Sequence, residues 1–321
     1  MSFELILPFL RPIEPLLLDD SISEIMGNPD ASWWYERDGI IRREEAVSFD
    51  AARLRTSLEV IANQLGKKLD EDNPVLHAQL PDGSRLAAVI PPVVRPAPAL
   101  TIRKFTSRRY TVDDLIARGT LTRSLADFLE TQIRNGKTLL ISGGTGSRKT
   151  TLLQILAQAI PEHERIVVIE DTSELRIQKP NVLAVECQID TFKSSISFDD
   201  LLKSSLRWRP DRIILGEVRG IEARTLLDSF NTGHDGSLAT IHANSAAKAL
   251  SRFANLVMRS HEQATLSDVE AEIGEAVEFI IHVERRPGRR VIREVLALKG
   301  YDRSAKRFLF ESIYGVDHAT A

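Results

Sequence analysis

Apolar positions along the chain change period several times, and each change marks an element. Ala51, Leu54, Leu58, Ile61, Ala62 and Leu65 recur at helical spacing, and Gly66 follows where a helix ends. Trp33, Trp34 and Tyr35 lead into an Asp38-Gly39 corner, and Pro81-Asp82-Gly83 sits between two apolar segments, so two hairpins are expected. This mixture of short strands and a helix predicts a small α+β N-terminal domain over residues 1–98. In the stretch IPPVVRPAPAL that follows, Pro91, Pro92, Pro96 and Pro98 remove backbone donors and disfavour helix before each of them. A linker is therefore expected over 99–110.

Over 111–321 the pattern alternates. Leu125, Phe128, Leu129 and Ile133 lie on one helical face, an apolar strand follows at 138–142, and Leu152, Ile155, Leu156 and Ala159 return to helical spacing. That rhythm predicts an α/β domain whose parallel sheet is covered on both faces. Phe279, Ile280 and Ile281 precede His282 and Val283 in a run short enough for a buried strand, although spacing alone leaves a helix segment open. Arg285, Arg286, Pro287, Gly288, Arg289 and Arg290 form a turn before the apolar pattern resumes at 291–298. Its basic tip faces anionic lipid, a neighbouring subunit, or simply solvent.

Composition narrows the setting. The 321 residues, 43% hydrophobic, are enough for two cores. A formal charge of −3 does not suit a protein that coats nucleic acid by charge, and no direct sequence-specific nucleic-acid binding is expected. Cys187 is the single cysteine, so nothing requires an oxidising compartment. The opening MSFELILPFLRP carries Glu4 and Pro8 and no basic residue ahead of its apolar stretch, unlike a signal peptide. No apolar run approaches the roughly 18 to 20 residues of a membrane span. A cytoplasmic protein is expected, with any membrane contact peripheral or through partners.

The chemistry concentrates after the strand at 138–142. Gly143, Gly144, Thr145, Gly146, Ser147, Arg148, Lys149, Thr150 and Thr151 stand between that strand and a helix, where a phosphate-binding loop belongs. Small residues let successive N–H groups curl around phosphate oxygens, and the following helix aims its positive end at the same anion. Lys149 then reaches the β- and γ-phosphates, and the Thr150 hydroxyl ligates Mg²⁺. The plainer alternative is a glycine turn between strand and helix. One position departs from G-x-x-x-x-G-K-[ST]: Arg148 stands where glycine precedes the lysine. Glycine serves there for close backbone approach, so weakened nucleotide binding is expected.

Three segments downstream add acids, an arginine and histidines. RIVVIEDTSEL (165–175) reads as a buried strand ending in Glu170, placed to orient or deprotonate water, with Asp171 and Glu174 as lesser candidates. A turn capped by Asp171 or Ser173 fits the same residues. RWRPDRIILGEVRG (207–220) is a second strand with Gly216 where a Walker B aspartate usually stands. Its Glu217 would hold Mg²⁺ through water or polarise the nucleophile, or else pair with a nearby arginine. Arg219 would stabilise charge on the γ-phosphate, or serve only as a salt-bridged surface residue. In TGHDGSLATIHAN (232–244), His234 and His242 would contact the γ-phosphate, or be structural. A zinc site is disfavoured because no third ligand lies nearby.

In order, GGTGSRKTT, VIEDTSEL, RPDRIILGEVRG and NTGHDGSLATIHANSA resemble the Walker A, Asp, Walker B and His boxes of the secretion ATPase superfamily. SEIMGNPDASWWYERDG, HAQLPDGSRLAAVIPPV and TIRKF resemble the N-terminal domain and linker of its conjugal-transfer, TrbB-type branch. The resemblance implies a RecA-like P-loop NTPase domain behind the smaller N-terminal one. It further implies ATP and Mg²⁺ as ligands and a homo-hexameric ring on inner-membrane channel proteins that powers conjugation, type IV secretion or pilus assembly. By the same resemblance Arg85 and Arg103 reach the nucleotide, Glu170 and Glu217 are the catalytic glutamates, and His234 and His242 are the box histidines. Arg148 opens an alternative: a scaffold subunit that has lost turnover. A DNA-translocating motor is the weaker third reading, because no basic stretch is interleaved with aromatic residues.

Overall fold

The computed structural model describes residues 3–37, 39–105, 110–187, 195–260, 264–286 and 288–315. The chain divides into two compact units, Met1–Arg109 and Tyr110–Ala321. Asp38 and Pro287, expected at turns, lie outside the described residues.

The first unit contains α1 (Glu14–Leu18), β1 (Ile22–Gly27), β2 (Trp33–Arg37), β3 (Ile40–Glu44), α2 (Ala51–Gln64), β4 (Val75–Gln79), β5 (Arg85–Val89) and β6 (Ala99–Arg103). Among the described residues the strands form an antiparallel sheet in the order β3-β2-β1-β6-β5-β4. One face is apolar because alternate residues point the same way: Leu86 and Ala88 on β5, Leu100 and Ile102 on β6. Helix α2 closes that face with Leu54, Leu58, Ile61 and Ala62. Asp50 caps α2 by accepting the Arg53 N–H at 2.9 Å, and Gly66 at φ +70° ends the turn beyond it.

The proline run does not separate the units. Residues 99–103, expected in the linker, form β6 in the middle of the first sheet, hydrogen-bonded to β1 on one side and β5 on the other. Leu100 and Ile102 need a buried face, and only the sheet supplies one. The division falls instead between Arg109 and Tyr110.

The second unit runs α3 (Val112–Ala117), α4 (Arg123–Arg134), β7 (Leu139–Gly143), α5 (Lys149–Ala157), β8 (Ile166–Glu170), β9 (Val182–Glu186), α6 (Phe198–Ser205), β10 (Arg212–Val218), α7 (Glu222–Phe230), β11 (Leu238–His242), α8 (Ala246–Met258), α9 (Leu266–Ala276), β12 (Phe279–Arg286), β13 (Arg289–Asp302) and β14 (Arg307–Tyr314). Its sheet has the order β14-β13-β12-β7-β11-β10-β8-β9, parallel from β12 to β9 and antiparallel at β13 and β14. Helices cover both faces. Leu140, Val167, Leu215 and Ala239 pack under α6 to α9, whereas Leu139, Ile141, Val168 and Ile214 pack under α4 and α5. Strands buried on both sides are near-continuously apolar, which is why β7 opens on Leu139, Leu140 and Ile141 and β8 on Ile166 to Ile169. The parallel register puts the carboxyl ends of β7, β11, β10 and β8 side by side along one edge of the sheet. Ligands in open α/β sheets gather there. Among the described residues no helix is long and apolar enough to cross a membrane.

Candidate active site

The loop between β7 and α5 is built from close backbone approach. A Cβ at Gly143 would lie 2.5 Å from both Ser147 Oγ and the Val283 carbonyl, so no larger residue fits. Gly146 adopts φ +70°, a region open to glycine at no steric cost. Gly144, Thr145 and Gly146 are exposed, while Ser147 and Lys149 are buried. Helix α5 begins at Lys149 without a side-chain cap, leaving first-turn amides for an anion. Thr150 and Thr151 follow on that turn, both half-buried.

Arg148 is the residue that carries the strain. It takes the left-handed conformation at φ +67°, ψ +38°, which costs a residue bearing a Cβ on the order of 1–2 kcal/mol. The backbone therefore keeps a glycine-like path. The side chain leaves the loop and lays its guanidinium over the Tyr110 ring, 5.2 Å from the centroid, where Arg118 sits at the same distance.

Lys149 links the loop to the neighbouring strand tips. Its Nζ donates to the Gly144 carbonyl at 3.1 Å and lies 3.5 Å from both ring nitrogens of His242. His242 closes β11, and its Nε2 is 3.3 Å from Glu217 Oε2 on β10. Burial, then the Lys149 charge, depress the His242 pKa against the pull of Glu217, so the ring is neutral near pH 7 and has one N–H to give. Lys149, His242 and Glu217 thus form a continuous polar row across three elements.

Glu170 ends β8 one strand further on, 4% exposed. It accepts the Glu174 N–H at 3.1 Å and the Leu175 N–H at 3.1 Å. Burial is the main cause that lifts its carboxyl to about 7, with the Glu174 and Asp171 charges adding and the two backbone donors opposing. The turn expected to be capped by Asp171 or Ser173 is instead held by Glu170 itself. Gly216 explains its own place in the sequence: a Cβ there would meet Glu170 Cγ at 3.1 Å. Gly216→Asp, which restores the usual acid, should therefore lower stability by about 1–3 kcal/mol through overpacking. The loss should grow as pH rises from 6 to 8 and the two carboxylates ionise together, read as the urea midpoint at each pH.

Other expected residues lie apart from this row. Arg219 Nη1 pairs with Asp171 at 3.1 Å and its guanidinium covers the Phe198 ring at 5.0 Å, the salt-bridged alternative. His234 requires a correction. Its loop precedes β11, at the amino edge of the sheet, where Gly236 N–H donates to Thr138 Oγ1 just ahead of β7. The His234 Nδ1 is 3.3 Å from the Ser229 carbonyl. Strand β11, which His242 itself closes, runs roughly 13 Å from Leu238 to His242 at the usual rise, so within one chain His234, ahead of that strand, stands at the edge of the sheet away from the loop. Arg85 and Arg103 stand directly opposite each other across β5 and β6 in the first unit.

Two groups at the loop escaped the reading of the sequence. Arg290 Nε donates to the Gly146 carbonyl at 3.2 Å, and Arg285 Nη1 lies 3.1 Å from where a Gly146 Cβ would be. The basic turn was expected to face lipid, a neighbour or water, but two of its arginines lie on the phosphate loop. Beneath the loop, Ser142 Oγ is 2.9 Å from His282 Nδ1, both buried. Strand pairing of β12 with β7 creates both contacts, and sequence spacing carries no sign of it.

Comparison with known proteins agrees with this architecture. The family model described as Type II/IV secretion system protein matches residues 10–298. The conjugal transfer protein TrbB of Rhizobium radiobacter is 37% identical over 292 residues, covering 88% of this chain and 86% of its own length. The crystal structure of the VirB11 ATPase from the Brucella suis type IV secretion system in complex with sulphate is 27% identical, with a TM-score of 0.50 over 91% of this chain and 94% of that one. The Legionella pneumophila ATPase DotB, 19% identical, matches in fold at a TM-score of 0.61 over 92% of this chain and 81% of that one. The chain belongs to the type II/IV secretion system protein family, and its second unit has the RecA-like fold of that family's ATPases.

Proposed function

We propose that this protein hydrolyses ATP to ADP and phosphate and that the free energy drives conjugative transfer, type IV secretion or pilus assembly. The observation that carries the reading is the row from Lys149 through His242 to Glu217, at the mouth of the phosphate loop and beside a buried Glu170. Amides of residues 143–151 enclose the β-phosphate, and Lys149 exchanges its contact with the Gly144 carbonyl for phosphate oxygens. His242, neutral, donates a hydrogen bond toward the γ-phosphate. Glu170 takes the proton of the attacking water, and its raised pKa suits a base working near neutrality.

The hydroxyl of Thr150 and the carboxylate of Glu217 are oxygen donors of the kind a hard cation takes, and these two residues would hold Mg²⁺. When bound, the ion would supply charge neutralisation to the polyphosphate. By the resemblance of their segments, Arg85 and Arg103 are assigned to binding nucleotide, and Arg219 to charge on the transferring phosphoryl group. Similarity to a conjugal transfer protein and to an ATPase of a type IV secretion system supports a role in such machinery; the homo-hexamer on the cytoplasmic side of an inner-membrane channel is assigned from the resemblance of the ordered boxes to the secretion ATPases. Purified protein should run as a ring-sized particle and release phosphate from ATP only with Mg²⁺; a persistent monomer without turnover would defeat the reading.

Arg148 supports a second reading, in which the subunit keeps ring and partner surfaces but does not turn over ATP. The path of its side chain onto Tyr110 favours the enzyme. Arg148→Gly should then leave ATP affinity within a few-fold of the parent by titration calorimetry. Tight binding seen only in the glycine variant would favour the scaffold.

A further inference from the structure

We propose that the hairpin of β12 and β13 is part of the nucleotide site, with Arg285 adding a cation to the bound polyphosphate and Arg290 positioning the phosphate loop. The inference rests on the reading that the loop binds a nucleotide, and it adds residues from an element outside the family's ordered boxes.

The geometry of Arg290 is that of a brace. Its residue is 8% exposed, and its Nε holds the Gly146 carbonyl at 3.2 Å. A planar trans peptide points its C=O and the next N–H in opposite directions. Pinning the Gly146 carbonyl on one side therefore aims the Ser147 N–H to the other, and that N–H faces the Gly144 carbonyl at 3.3 Å, the same oxygen that receives Lys149. Arg290 thus holds from outside the peptide whose N–H closes the loop back onto Gly144, and fixes the shape of the loop that Lys149 also grips.

Arg285 comes from the opposite strand and is exposed. It stands directly across from Arg290 in the antiparallel register, and the next pair along is Arg286 opposite Arg289. Like charges directly opposite are unfavourable in a sheet. The Arg285 guanidinium rests against Gly146, three residues ahead of Lys149 and the uncapped start of α5. Cations gathered at one loop raise the local potential for an anion, and a polyphosphate supplies the matching charge. The arrangement also gives Gly146 a second duty beyond its φ: any side chain there would push Arg285 away.

The test titrates full-length protein with a fluorescent ATP analogue and Mg²⁺, with tripolyphosphate as competitor, at several salt concentrations. The variants are Arg285→Gln, Arg290→Ala, Arg290→Lys, Lys149→Ala and, as a distant control, Arg303→Gln, each checked for unchanged thermal unfolding. Arg285→Gln should weaken ATP and tripolyphosphate alike by about tenfold, the loss expected of one charge-assisted contact, and should flatten the salt dependence. Arg290→Ala should weaken binding too, and Arg290→Lys should recover most of it, because an ammonium can donate to the same carbonyl. Affinity of Arg285→Gln equal to that of Arg303→Gln, or a loss with the parent's salt dependence, would overturn the role of Arg285. Failure of lysine to rescue would overturn that of Arg290. If the parent binds no better than Lys149→Ala, the nucleotide reading itself falls, and this inference falls with it.

Discussion

Lys149→Ala should reduce steady-state phosphate release by on the order of 10²–10³-fold, the usual cost of removing one preorganised donor from charge developing in a transition state. Lys149 is buried at the start of α5, and its amine is within reach of two groups that a nucleotide would replace or join, the Gly144 carbonyl and the His242 ring. Alanine favours helix, and α5 is anchored by Leu152, Leu153, Ile155 and Leu156, so the fold should persist. The same substitution removes a positive charge that depresses the His242 pKa. That pKa should therefore rise in the variant, visible by NMR titration of the ring. An unchanged rate would show that phosphate is bound elsewhere.

Glu170→Gln should be nearly as damaging, with kcat lower by about 10²–10⁴-fold, the range for loss of a general base. The amide is isosteric, and its oxygen can still accept the Glu174 and Leu175 N–H groups, so a loss of rate would not be a loss of the turn. The pH profile separates chemistry from support. A carboxyl lifted to about 7 is mostly protonated at pH 6 and mostly ionised at pH 8, so kcat of the parent should climb through that interval. A carboxylate at its ordinary value of 4.5 would give a flat profile there. The residual rate of the glutamine variant should lose the climb. A parent rate that is level from pH 6 to 8 would move the base to Glu217 or to another group.

Much of the second unit was legible because its strands and helices obey different periods. Runs buried on both faces, such as β7 and β8, could be read together with the glycine loop between a strand and a helix. The parallel order then brings strand tips together whatever the loops do, which explains why Glu170, Glu217 and His242 converge although they come from three strands. The misreadings have a common cause. His234 and His242 lie close in sequence, but a strand between them carries one to each edge of the sheet. Arg285 and Arg290 are far in sequence from Gly146, and only the pairing of β12 with β7 shows that they touch its loop. The first unit misled at the prolines, which look like a linker but precede one more strand of the sheet. Gly216 was read as a lost aspartate; its reason is the volume of Glu170 on the next strand, a packing fact with no local signature.

The most direct measurement is a crystal structure of the protein with Mg²⁺ and a non-hydrolysable ATP analogue. The account requires the β- and γ-phosphates to lie within the loop of residues 143–151, with Arg148 still turned out onto Tyr110 and Glu217 and Glu170 beside the γ-phosphate. A nucleotide bound at another place, or Arg148 filling the loop where phosphate belongs, would contradict it.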